Sequence, residues 1–318
     1  MRIVAVVVGG ALGAGLLSCS PDSGSKPAAS VAALEVATEN PLTRRGGPLR
    51  QQWAMDRLWE DGKAEVATYE AERVVYGEAR RFEYTLITVK EEFSQQYNVK
   101  TDDRQRKDVF PVMKVNQFCT IPTEQYPYHF LTSLFFRRDQ PAQLHKLTTS
   151  SQEWCGNTFK TILDDGMQYV QTYNSYWDGQ GVGQRQLRRV VLFEDALPYT
   201  LRSLRFETLP TFKADVYELQ QTNQATPPVL YPAHIRTEDV LTADTSEPAW
   251  RVTVTLTNQK RNVYWFGKQY PNVLLRQTTW DGRTLQLKQV RRYVYWPVAL
   301  AAATAPDSAA AMPAAAAR

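Results

Sequence analysis

From about Gln51 to Pro297, aromatic and β-branched residues alternate with polar ones, the period-two pattern of strands with one buried and one wet face. The clearest run is Trp250-Arg251-Val252-Thr253-Val254-Thr255-Leu256-Thr257, apolar at every second position. Met167, Tyr169, Tyr173 and Trp177 keep the same spacing, with Gln171 and Ser175 in phase, and predict a long strand after Asp165-Gly166. Asp61-Gly62, Asp165-Gly166, Asp178-Gly179 and Asp281-Gly282 supply the positive φ that tight turns need. The last pair, between Val273–Trp280 and Arg283–Tyr295, predicts a hairpin.

Helical spacing is confined to short stretches. Leu197, Leu201 and Leu204 fall at i, i+4 and i+7 behind Asp195 as a cap and Pro198 in the first turn, which predicts a helix lidding the sheet. A second short helix is expected over Gln52–Trp59. Regular helical crossovers are missing, so a parallel α/β architecture is excluded. The expected fold is mainly β: long antiparallel strands in a curved sheet, open barrel or half-barrel, covered by one or two helices and arranged as one large or two coupled domains.

The ends differ from this body. Arg2 precedes an uncharged run, Ile3 to Leu17, that falls short of the ~20 residues a spanning helix needs. Leu16-Leu17-Ser18-Cys19 then has the form of a bacterial lipobox. Residues 1–18 are expected to leave as a signal peptide and Cys19 to carry acyl chains, tying the protein to a membrane, each buried CH₂ adding about 0.8 kcal/mol. Ser20 in place of an acidic residue points to the outer membrane, facing the periplasm. Residues 19–50, rich in Ser, Ala, Pro and Gly, read as a tether, and residues 298–318, rich in Ala and interrupted by Pro306 and Pro313, as a disordered tail. The net charge of +4 is spread over dispersed pairs such as Arg80-Arg81 and Arg291-Arg292, which leaves no nucleic-acid footprint.

Candidate chemistry is sparse. With Cys19 lipidated, an envelope compartment permits a disulfide between Cys119 and Cys155, the alternative being two buried thiols. Cys155, in Ser150-Ser151-Gln152-Glu153-Trp154-Cys155-Gly156, is also the candidate nucleophile of a thiol-dependent hydrolase, with His129 or His145 as base and Glu153 as orienting carboxylate. His129, His145 and His234 lack metal-ligand spacing, and phosphate-binding glycine loops are missing, so neither a metal nor a cofactor is implied. Aromatic clusters remain: Tyr126, Tyr128, Trp154, Tyr264, Trp265 and Trp296 suit either a ligand-facing surface or cross-strand packing.

These motifs resemble a family of uncharacterised Bacteroidota lipoproteins, some of them labelled septum formation inhibitors of the Maf type. The matching residues are Tyr126-Pro127-Tyr128 with Thr132-Ser133, Ser150 to Gly156, Tyr264-Trp265-Phe266 with Pro271 and Leu274-Leu275, and Asp281-Gly282-Arg283 with Tyr295-Trp296. The Maf signature is not present, so the resemblance implies no such activity. Long strands with a lid helix look like the half-barrels of LolA- and LolB-type lipoprotein carriers, a likeness of fold alone. The expected function is a non-enzymatic, lipid-anchored envelope protein binding an apolar or amphipathic ligand, or an envelope partner, on a concave sheet face. The alternatives are a thiol enzyme at Cys155 and a structural component of an envelope assembly.

Overall fold

A computed structural model describes residues 40–103, 105–242 and 247–296. The lipobox with Cys19, most of the expected tether and the alanine-rich tail lie outside the described residues. The chain is mainly β, one large curved sheet of sixteen strands that does not close. In order they are β1 (Ala64–Val75), β2 (Glu78–Ser94), β3 (Val99–Lys100), β4 (Val109–Ile121), β5 (Tyr128–Arg137), β6 (Leu144–Glu153), β7 (Gly156–Asp164) and β8 (Tyr169–Ser175). The second half comprises β9 (Val182–Leu187), β10 (Leu192–Phe193), β11 (Thr211–Tyr217), β12 (Leu230–Leu241), β13 (Pro248–Thr255), β14 (Arg261–Gly267), β15 (Leu274–Thr278) and β16 (Thr284–Tyr293).

Neighbours in the sheet are neighbours in the chain, except that β16 returns to pair with β1 and the small β3 hangs from β2. The two free edges are therefore β9 and β10, consecutive in sequence and joined only by residues 188–191. Side chains bridge this seam: the Arg188 amide donates to the Tyr217 hydroxyl at 2.8 Å, and Tyr169 meets Phe193 edge to face. Pairing is antiparallel throughout, apart from the short parallel contact of β10 with β11.

Residues Glu194–Ser203 form a bar inside the curve, built from single 3-10 turns around α1 (Leu197–Thr200). This is the expected lid helix, with Pro198 in its first turn, but it is shorter and buried on nearly every side. Asp195 does not cap it; its carboxylate is used elsewhere, as described below. The second expected helix is two 3-10 turns, Gln51–Met55 and Arg57–Glu60, which bury Trp53 and Trp59. The folded body also begins earlier than the tether reading allows. Leu42 and Leu49 are in the core, and Leu49 pairs with Leu204, directly after the bar, because both side chains have apolar surface to bury there.

Arg202 fastens the bar to β1. Its guanidinium makes a two-pronged contact with Glu65 at 2.7 and 2.9 Å, donates to the Pro271 carbonyl at 3.0 Å and lies over the Trp53 ring. Both side chains of the pair are about 5% exposed, so removing one leaves an uncompensated buried charge. Arg202→Ala is expected to lower the unfolding free energy by about 3–5 kcal/mol. Arg50→Ala, which breaks an exposed pair with Glu207, should cost no more than about 1 kcal/mol. Urea denaturation of both variants checks the contrast; equal losses would refute it.

Candidate functional site

Register divides the concave face into two zones. Toward one end, Val115, Leu134, Leu147 and Ile162 stand side by side across β4 to β7 and pack against the bar with Phe136 and Tyr199. One step along each strand the inward row becomes Gln117, Thr132, Thr149 and Lys160; the next contains Cys119, Phe130, Ser151 and Thr158. All these polar side chains are buried. Polar side chains in a hollow need partners; Thr132 and Thr149 bond each other, Gln117 donates to the Asp195 carbonyl, and for Thr158 and Lys160 a segment of backbone supplies them.

That segment is the connection from β11 to β12, Glu218–Val229, which folds into the hollow as a strap. Its amide N–H groups go to carboxylates: Leu219 donates to Glu194 Oε2 at 3.1 Å, and Gln220 and Gln221 donate to the two oxygens of Asp195 at 2.7 and 2.9 Å. Its carbonyls go to cations and a hydroxyl. Lys160 Nζ donates to the Gln224 carbonyl at 2.7 Å and to Thr222 Oγ1 at 3.0 Å, and Arg185 donates to the Ala225 carbonyl at 2.9 Å. Arg73 reaches the Gln221 carbonyl at 3.4 Å, and Thr158 Oγ1 donates to the Asn223 carbonyl at 2.9 Å. Amide side chains complete the lining: Gln171 donates to Gln220 Oε1 at 2.9 Å, and the Tyr84 hydroxyl lies 3.0 Å from Gln117 Oε1 and 3.2 Å from Gln221 Oε1.

The strap thus bonds carboxylates through its amides and cations through its carbonyls. Burial raises the pKa of Glu194 and of Asp195, against the hydrogen bonds that favour their charged forms. It pushes Lys160, which is 2% exposed, down to about 8.

Where the strap crosses β6 and β7, Asn223 Nδ2 donates to Glu153 Oε1 at 3.3 Å, linking the polar centre to an aromatic rim. In this meander the turns after β1, β4, β6 and β8 share one end of the sheet. The two-residue turn Trp154-Cys155 projects there, and Gly156 follows because a Cβ at that position would run into the Tyr176 ring. Tyr126 stacks on Trp154 with ring centres 5.9 Å apart and lies 5.7 Å from Tyr128, whose hydroxyl bonds that of Tyr76. The rim stays open to solvent: Trp154 is 78%, Tyr76 68% and Tyr176 56% exposed.

Of the aromatic residues singled out from sequence, Tyr126, Tyr128 and Trp154 meet at this rim and the other three do not. Tyr264 is fully buried on the concave face, whereas Trp265 faces outward under Arg276. Trp296 packs edge to face on Tyr295 in an outer groove of about 840 Å³ at the opposite end, lined also by Trp59, Lys90 and Lys114. The sequence reading missed the strap, Lys160, Arg73, Arg185 and Glu194. One signal could have marked the strap, a connection of twelve residues that is long for a hairpin loop; the four charged side chains carried none.

The cysteines do not pair. Cys119 is buried on β4, where burial pushes its thiol up to about 12, while Cys155 is exposed in the rim turn. The Sγ of Cys155 meets the Tyr126 hydroxyl at 3.2 Å and no imidazole. His129 faces outward and bonds Thr120, and His145 bonds Asn98 between Phe93 and Phe110, where burial lowers its pKa to about 4. Glu153 is engaged with the strap and faces Tyr128 instead of orienting a base. Among the described residues no group of three or more His, Cys, Asp or Glu side chains is placed to hold a metal. Comparison with family models, with curated proteins and with solved structures finds no match to this chain.

Two measurements follow from this geometry. In the native protein maleimide should label Cys155 within minutes and spare Cys119 until the chain is unfolded, as read by peptide mass spectrometry; protection of Cys155 would contradict the open turn. Lys160 releases its proton at about pH 8 when folded, against an ordinary value of 10.5. Below pH 8 both states hold the proton; between there and 10.5 the unfolded state holds more of it, so stability rises with pH. Relative to Lys160→Met, the wild type should therefore gain roughly 3 kcal/mol across that window in denaturation series, and parallel pH profiles would exclude the assignment.

Proposed function

We propose that this is a non-enzymatic, lipid-anchored protein of the cell envelope, held to the outer membrane through Cys19, that takes up an apolar or amphipathic ligand through the aromatic rim of its curved sheet. One observation carries the reading: a cluster of buried ionisable side chains with displaced pKa values, Glu194, Asp195 and Lys160, lies behind a rim of exposed aromatic rings. Groups of this kind cluster at functional sites, because each charge is costly to bury. Trp154 stacked on Tyr126, and Tyr76 joined to Tyr128 through their hydroxyls, offer apolar area on rings already held in place.

The sequence placed the ligand in an open concavity. Here the concave face is filled by the bar and the strap, so the reading moves the point of contact to the rim. The thiol-enzyme alternative has no observation in its favour. The group beside Cys155 is a phenol whose pKa is raised, chiefly by its hydrogen bond to that thiol, and a phenol that stays protonated is no general base at neutral pH.

Titration of the full chain with N-phenyl-1-naphthylamine, a neutral apolar fluorophore, tests the proposal. Saturable fluorescence enhancement is expected, weakened about fivefold or more by the double substitution Tyr76→Ala, Trp154→Ala, with unfolding midpoints unchanged because both side chains are exposed. Failure to saturate, or equal binding by the variant, would refute it and leave the envelope-partner reading.

A further inference from the structure

We propose that the strap Glu218–Val229 is a displaceable plug, and that Lys160, Arg185 and Arg73 beneath it form the site for the anionic head of an acyl ligand. The inference rests on the ligand-binding reading above and assigns both the chemistry of the ligand and the movement that admits it.

The strap has the geometry of a unit that moves whole. Its ends meet, the Glu218 amide donating to the Val229 carbonyl at 2.9 Å and the Val229 amide to the Glu218 carboxylate at 3.0 Å, so it is an Ω-loop hinged where β11 passes to β12. Between these ends it joins no strand. Apart from one local contact from Thr222 to Gln220, its backbone bonds run to side chains. Pro227 and Pro228 restrict the returning limb and remove two donors from it. Lifting the strap therefore breaks no ladder of the sheet.

The floor it covers is built for an anion. Lys160, Arg185 and Arg73 donate to neutral carbonyl oxygens of the strap, weaker acceptors than a carboxylate. Arg185 Nη1 is buried with no hydrogen-bond partner among the described residues, so one donor of the fork is left over. A carboxylate entering here would take over the strap's carbonyl contacts at Lys160 and Arg185. Apolar wall is adjacent: the guanidinium of Arg185 lies 4.1 Å over the Tyr173 ring and that of Arg73 5.5 Å over Phe130. Phe130 stacks on Tyr128 at the rim, so a row of aromatic rings runs from the rim to the Arg73 guanidinium, against which an alkyl chain can pack once the strap has left. On the other side the strap's amides leave Glu194 and Asp195, two carboxyls whose pKa burial raises while the nearby charge of Arg283 lowers it.

Competition against bound N-phenyl-1-naphthylamine by oleate, oleyl alcohol and acetate, with hydrogen exchange of the full chain, separates the possibilities. Oleate is expected to displace the probe at least tenfold better than oleyl alcohol, and acetate not at all at millimolar concentration. Lys160→Met should reduce the preference for the acid to about twofold; Arg185→Gln, at a half-buried position, provides the same test if the lysine variant does not fold. Oleate should also speed exchange at the amides of Leu219, Gln220, Gln221 and Ala225. Equal displacement by acid and alcohol overturns the anion site while the rim reading stands, whereas displacement by acetate overturns the acyl requirement. Unchanged or slower exchange in the strap overturns the plug. Failure of the probe itself to bind defeats the rim reading and this inference together.

Discussion

A sheet that curls nearly into a barrel encloses more space than its own inward side chains fill, so backbone has to enter the hollow, and buried backbone must find hydrogen bonds there. Everything distinctive in this molecule follows from how that constraint is met at the two ends. At one end the bar from Glu194 to Ser203 meets it internally, turn by turn, and can be surrounded by Leu, Phe and Tyr side chains. At the other end the strap has no such internal pattern. Its N–H and C=O groups draw on the sheet and on the start of the bar, and this is why Thr158 and Lys160 are polar, while Thr132 and Gln171 meet the strap's glutamine side chains and Gln117 donates to the Asp195 carbonyl, where neighbouring inward positions are Val, Leu and Ile.

Charge is used in an unusual way at that second end. A buried carboxylate or ammonium normally finds an opposite charge; Glu194 and Asp195 hold amide groups, and Lys160 and Arg185 hold carbonyls, with the strap between them. Each contact is charge-assisted and individually strong, yet none cancels a net charge in the way the Arg202–Glu65 pair does. The two arrangements sit on the same bar a few residues apart and show what a purely structural solution looks like in this fold.

Much of the architecture was legible in period-two spacing. The strand over Trp250–Thr257, the hairpin around Asp281-Gly282, the turns at Asp165-Gly166 and Asp178-Gly179 and the helical stretch behind Asp195 all appear, with ends shifted by a few residues. The rim was half legible. Tyr126, Tyr128 and Trp154 stood out as aromatics, but their meeting depends on β4–β5 and β6–β7 turning at the same end, which spacing within a single strand does not encode. The strap was not legible, since a Gln- and Asn-rich run reads as a solvated loop unless the inward face opposite is known to be polar. Lys160 resembled an outward residue for the same reason: its strand has Asn157, Phe159 and Thr161 on one face and Thr158, Lys160 and Ile162 on the other, so composition alone favours neither as the inside. Only the cross-strand row joining it to Thr149, Thr132 and Gln117 decides the matter.

The division into two ends also bears on how a binding protein of this shape stays folded while it opens. Local opening draws on the least densely packed part of a structure, and its cost is set by the apolar area and ladder bonds it disrupts. Through Tyr199 the bar interlocks with Trp53 and Phe136, and Arg202 ties it to β1, so releasing it would expose the main core. Ala225 is the strap's one fully buried apolar side chain, and the buried Gln220 and Gln221 present amide groups, which water can satisfy once it lifts. A polar plug seated on a charged floor, hinged at the edge of a rigid apolar end, confines the rearrangement to one loop and leaves the β9–β10 seam and its side-chain bridges in place.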